Sequence, residues 1–147
     1  MADAPHILIV DARYYDDIAD ELVKGAAAEI EAAGASFERI TVPGAFEIPA
    51  AIGFALESGS YDGFVALGCV IRGETTHYDY VCAQSARGLA DLALDRGAAI
   101  GFGILTVENA DQARARAQTN QKNKGASAAR ACLEMIALKR RFGTGAR

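Results

Sequence analysis

Leu67-Gly-Cys-Val-Ile-Arg-Gly-Glu-Thr-Thr-His-Tyr-Asp-Tyr-Val81 is the stretch that decides the fold. Its first half is apolar at both alternating positions, the pattern of a strand buried on both faces. Its second half turns polar, with Gly73, Thr75 and Thr76, and then takes on helical period. Thr76 and Asp79 are spaced like a capping box, which starts a helix near Tyr78 with Val81, Ser85, Gly88, Leu89 and Leu92 on its inner side. Strand, loop and helix in that order make the repeating unit of a parallel sheet covered by helices on both faces.

Outward from this unit the pattern repeats. His6 to Val10, Ser36 to Val42 and Ala98 to Thr106 join Gly63 to Val70 as four strands, each read as apolar on both faces. A helix from about Asp17 to Ala33 carries Ile18, Leu22, Ala26, Ile30 and Ala33 on one stripe, and Gly34 suits a left-handed stop. Pro49 announces a second helix that Gly59 ends. After the fourth strand, Ala110 to Ala117 reads as a short helix, Thr119 to Lys124 as a polar loop, and Ser127 to Phe142 as a last amphipathic helix. The tail from Gly143 to Arg147 is expected to fray. No repeat or linker interrupts residues 1–147, so the expectation is one α/β domain on a four-stranded parallel sheet.

The chain has 147 residues, 51% hydrophobic and 23% charged, with a net charge of −4. That length buries about two thirds of the unfolded surface around one core. Mild acidity, with no Lys/Arg stripe interleaved with aromatics, argues against nucleic acid or an anionic membrane as partner, and points to small molecules. Cys69, Cys82 and Cys132 form none of the close pairs of a zinc site or disulfide framework. No apolar run approaches a membrane span, and Met1 to Pro5 lacks the blocks of a secretory signal, so a cytoplasmic protein is expected.

In an open parallel sheet, ligands bind beyond the carboxyl ends of the strands. The unusual residues gather there: Asp11-Ala-Arg-Tyr-Tyr15, Val42-Pro-Gly-Ala-Phe-Glu-Ile-Pro49, Ile71 to Tyr78, and Thr106-Val-Glu-Asn109. Gly73, Thr75 and Thr76 run into a helix N-terminus, a geometry that suits a phosphate or, equally, an ordinary helix cap. The glycine spacing is that of neither a dinucleotide fingerprint nor a Walker loop. His77 beside this loop is a candidate general acid/base, against the alternative of a surface histidine. Arg116 and Lys124 could complete a phosphate clamp or merely solvate a face. Tyr14, Phe46 and Phe102 would be core in most proteins, yet Tyr14 sits where a flat heterocycle could stack. The residues by themselves lead to a phosphate and a planar ring, and no further.

The strings VPGAFEIP (Val42 to Pro49), LGCVIRGETTHYDYV (Leu67 to Val81) and GILTVENADQA (Gly103 to Ala113) resemble the hallmark segments of lumazine synthases, in that family's order and spacing. The resemblance implies a flavodoxin-like three-layer αβα sandwich that assembles as a homopentamer, with each active site between two subunits. It implies condensation of 5-amino-6-ribitylaminouracil with 3,4-dihydroxy-2-butanone 4-phosphate, with no metal or redox cofactor. By motif position, Tyr14 would stack on the pyrimidine, Ala45, Phe46 and Glu47 would hold the ribityl chain, and Val70 and Ile71 would contact the heterocycle. Glu74 and Thr75, by backbone, and Arg116 would bind phosphate. His77 would shuttle protons, Lys124 would contact substrate, and Phe102 would reach in from the adjacent subunit. The segment Gln118 to Asn123 departs from the Gly-rich stretch of cage-forming relatives, which favours a free pentamer.

Two other classes share such a fold. A flavin-binding carrier needs a phosphate loop after the first strand, where this chain has Arg13-Tyr-Tyr-Asp-Asp17. A response-regulator module needs an Asp ending the third strand, where this chain has Gly68 and Cys69.

Overall fold

The computed structural model describes residues 3–143. Strands β1 (His6–Ala12), β2 (Ser36–Val42), β3 (Gly63–Ile71) and β4 (Ile100–Val107) form one parallel sheet in the order β2-β1-β3-β4. That order is the flavodoxin-like one, stopped at four strands. Helices α1 (Asp16–Ala32), α4 (Ala110–Ala117) and α5 (Lys124–Arg141) lie on one face. Helices α2 (Ile48–Ser58) and α3 (His77–Arg96) lie on the other.

Alternation along the strands builds two cores at once. Ile7, Ile9, Val65 and Leu67 point into a cluster with Leu22, Ala26, Ile30, Ala129 and Ile136, whereas Leu8, Val10, Phe64 and Ala66 meet Ile48, Ile52 and Leu89. The two interior strands, β1 and β3, are buried almost throughout. The stripes expected on the first and third helices are in place, except that Ala33 faces solvent. Helix α5 lies close on its neighbours because small residues let it. A Cβ at Gly101 would stand 1.9 Å from the carbonyl oxygen of Ala128, and one at Gly125 would stand 2.0 Å from that of Leu22. Gly59 ends α2 in the left-handed region at φ 68°, as the sequence suggested.

Three local expectations change. Strand β2 is not buried on both faces: Glu38, Arg39, Ile40 and Thr41 are all exposed, because β2 is an edge strand with little helix over it. Thr76 makes no side-chain cap on α3; the Thr75 hydroxyl instead accepts from the His77 N–H at 3.3 Å. Helix α5 starts at Lys124, three residues early, because Asn123 takes up the left-handed turn at φ 48°. Asn tolerates that region without a glycine. The expected fraying of the tail falls on residues 144–147, outside the described residues.

Candidate functional site

A cavity of about 710 Å³ opens beyond the carboxyl ends of β1 and β3. Each wall follows from local sequence. The chain leaves β1 with one more sheet bond, from the Arg13 N–H to the Val42 carbonyl at 3.1 Å, and presents Tyr14 with 74% of its surface exposed. Tyr15 braces that ring edge-on, with centroids 4.8 Å apart, and packs its own against the core. The stretch after β2 coils into a short 3-10 turn, Ala45–Glu47, that buries Ala45 and leaves Phe46 and Glu47 facing outward before Pro49 opens α2. Val70 and Ile71, at the end of β3, form the floor.

The polar wall is the loop from β3 to α3. Arg72 fixes it: the guanidinium donates to both carboxylate oxygens of Glu108 at 3.1 Å, reaches Asp79 at 3.5 Å and lies 4.3 Å over the Tyr78 ring. The third and fourth strand loops are thereby tied together. Thr75 and His77 line the cavity, with His77 the first residue of α3. Glu74 is exposed and its side chain stays outside the lining. A Cβ on Gly73 would meet no atom within 4 Å, so open space lies beside this loop for a ligand.

Phe102, Arg116 and Lys124 sit elsewhere, together in a second depression of about 330 Å³ between β4 and α5. Phe102 is 49% exposed, and Arg116 is half-buried with its Nη1 donating to the Gln112 carbonyl at 3.1 Å. Within one chain, then, Tyr14, Ala45, Phe46, Glu47, Val70, Ile71, Thr75 and His77 share one hollow, and the aromatic-cationic trio shares another.

Sequence reading passed over Tyr15, Tyr78, Tyr80 and Val81, which also line the cavity. The run His77-Tyr-Asp-Tyr-Val81 carried that signal: aromatic rings in the first turn of a helix that starts at the rim. It also gave no role to Asp11, which is fully buried at the end of β1. Cys69 lines the cavity too, but burial pushes its thiol up to about 12, so it is no thiolate nucleophile at neutral pH. Among the described residues, no group of three or more His, Cys, Asp or Glu is gathered as metal ligands are.

A parallel α/β scaffold with an aromatic-walled cavity over its strand ends, an open loop at a helix N-terminus and a histidine beside it sets the class of this protein. The chain matches the family model for 6,7-dimethyl-8-ribityllumazine synthase over residues 4–140, and it belongs to that family. A protein of that name from Bartonella tribocorum is 58% identical over 144 residues, covering 97% of this chain and 95% of the relative. One from Agrobacterium fabrum is 57% identical over 144 residues, with 95% and 97% covered. One from Methylobacterium radiotolerans is 59% identical over 141 residues, with 96% and 85% covered. Family membership sets aside the flavin carrier and the response regulator.

Proposed function

We infer that this chain is the enzyme that condenses 5-amino-6-ribitylaminouracil with 3,4-dihydroxy-2-butanone 4-phosphate, releasing phosphate and water. The product is 6,7-dimethyl-8-ribityllumazine, in the penultimate step of riboflavin biosynthesis. The observation that carries the reading is where three sequence segments fall. Residues from 42–49 and 67–81 wall the cavity, and residues from 103–113 wall the second depression. Purified protein mixed with the two substrates should generate lumazine absorbance and fluorescence; no product would overturn the reading.

The residue roles follow from chemistry. Tyr14 offers its ring to the pyrimidine, and the floor of Val70 and Ile71 excludes water from the heterocycle. Ala45, Phe46 and Glu47 take the ribityl chain, where a carboxylate can accept from hydroxyls. The backbone N–H groups of Glu74 and Thr75, approaching the positive end of α3, take the phosphate. The amine attacks the ketone and water leaves to give an imine, phosphate is eliminated, and the ribityl-bearing nitrogen closes the ring with loss of a second water. Each step moves a proton, and His77 is placed at the anion end of the cavity to move it. Holding amine and ketone in contact can contribute about 7 to 11 kcal/mol.

Phe102, Arg116 and Lys124 serve the cavity of an adjoining copy. Their separation from it within one chain supports a site completed between subunits, and a homopentamer is the assembly we assign, free and not part of a shell. The chain works as one domain, since both cores rest on the same sheet. Among the described residues, no helix is long and apolar enough to cross a membrane. Cys69, Cys82 and Cys132 are all free thiols, which fits the reducing cytoplasm we assign as its location.

A further inference from the structure

Asp11 has no exposed surface, yet it lies outside the cavity. Two guanidiniums hold it. Arg39, on edge strand β2, donates from Nε and Nη2 to both carboxylate oxygens at 2.9 and 3.0 Å, and Arg13 stands 3.6 Å away. Arg13 in turn grips Asp16 at 3.2 Å and also Asp20, which Arg39 reaches at 3.4 Å. The network therefore spans β1, β2 and the first two turns of α1.

Its position is what matters. Arg13 is the residue before Tyr14. The turn there has no side-chain cap, because the N-cap of α1 is Tyr15 and makes no such bond. Strand β2 runs on into residues 44–47, the opposite wall of the cavity. A buried carboxylate with bidentate geometry is weak evidence of stability, but these contacts tie the start of α1 to both strands.

We propose that Asp11 is a positioning residue which, through Arg13 and Arg39, fixes the Tyr14 ring against the 44–47 wall and so sets affinity for the flat heterocycle. The inference rests on the reading of Tyr14 as the stacking platform. Its partners are charged on both sides, so their geometry is restored only by residues that can bridge carboxylates.

The test is a double-mutant cycle read by fluorescence titration of the assembled enzyme with 6,7-dimethyl-8-ribityllumazine, with inorganic phosphate as a second probe. Asp11→Asn risks misfolding, so Arg13→Gln, which leaves the Asp11–Arg39 pair intact, carries the measurement. Tyr14→Ala should weaken lumazine binding about 3- to 10-fold. Arg13→Gln should weaken it about 2- to 5-fold, with Arg13→Lys recovering part of the loss and phosphate binding unmoved. In the Tyr14→Ala background, Arg13→Gln should add nothing. If Arg13→Gln has no effect, or an effect fully additive with Tyr14→Ala, the positioning role is overturned and the stacking role stands. If Tyr14→Ala binds lumazine as tightly as the parent chain, the stacking role falls and the positioning role with it.

Discussion

Arg116 and His77 lie in different hollows of the same chain, and their replacement should leave different kinetic marks. On the proposed phosphate role of Arg116, Arg116→Ala should raise KM for the keto-phosphate well above any change in KM for the pyrimidine, because a charge-assisted bond would be lost. Equal shifts in the two KM values would contradict that assignment. His77→Ala should lower kcat by about 10- to 10³-fold, since a proton shuttle supplies only part of the acceleration and proximity survives the change. Pyrimidine binding should hold. Wild-type kcat across about pH 6 to 9 would reduce His77 to the start of a helix. Both residues stand out in the sequence as candidates because each lies beside a Gly/Thr loop or a cationic run. Asp11 could not be, since its partner Arg39 is 28 positions away and nothing local distinguishes a buried carboxylate from a surface one.

Between elements, two contacts far from the cavity make predictions about folding. Gly101 on β4 meets the backbone of α5, and the Cβ of Gly101→Ala would overlap the Ala128 carbonyl. The helix must retreat from the sheet, and the urea unfolding midpoint should fall by the equivalent of about 3 kcal/mol or more. Glu38 on β2 accepts from Tyr61 at 3.1 Å and pairs with His6 at 2.8 Å. Those bonds, that of His6 first, hold its carboxyl below the ordinary value of 4.5. A lowered folded-state value means stability that is present above about pH 4.5 and lost as pH falls through the folded value. Glu38→Gln should therefore melt lower than the parent chain at pH 6, and the gap should close on acidification. Differential scanning calorimetry along that pH series checks both statements. Strand and helix placement was legible to within three residues because periodicity and glycine stops are local signals. The exposure of β2 was not, since an edge position depends on sheet order, which no single segment encodes.

At the scale of the whole molecule, sequence suggested one rim of four loops, and the parallel sheet provides it. All four loops do leave the same end of the sheet, but β4 closes one edge and turns Phe102 away from the cavity. If neighbouring copies supply each other's missing wall, a Tyr14→Ala chain and a Phe102→Ala chain should each be impaired alone. Unfolded together and refolded as mixed rings, they should regain part of the activity, because some sites then receive both intact walls. Mixed rings as inactive as either parent would refute the shared site.

The two edges of the sheet also differ in what they offer to a stray strand. Strand β2 ends the sheet with Glu38 and Arg39 exposed, charges that discourage another chain from extending the ladder. On β4 the exposed residues are Phe102 and Thr106, and neither carries a charge. Crowded folding intermediates should thus stick through the β4 side, and a lysine placed at position 102 would act as a gatekeeper against aggregation at the cost of the ring it replaces.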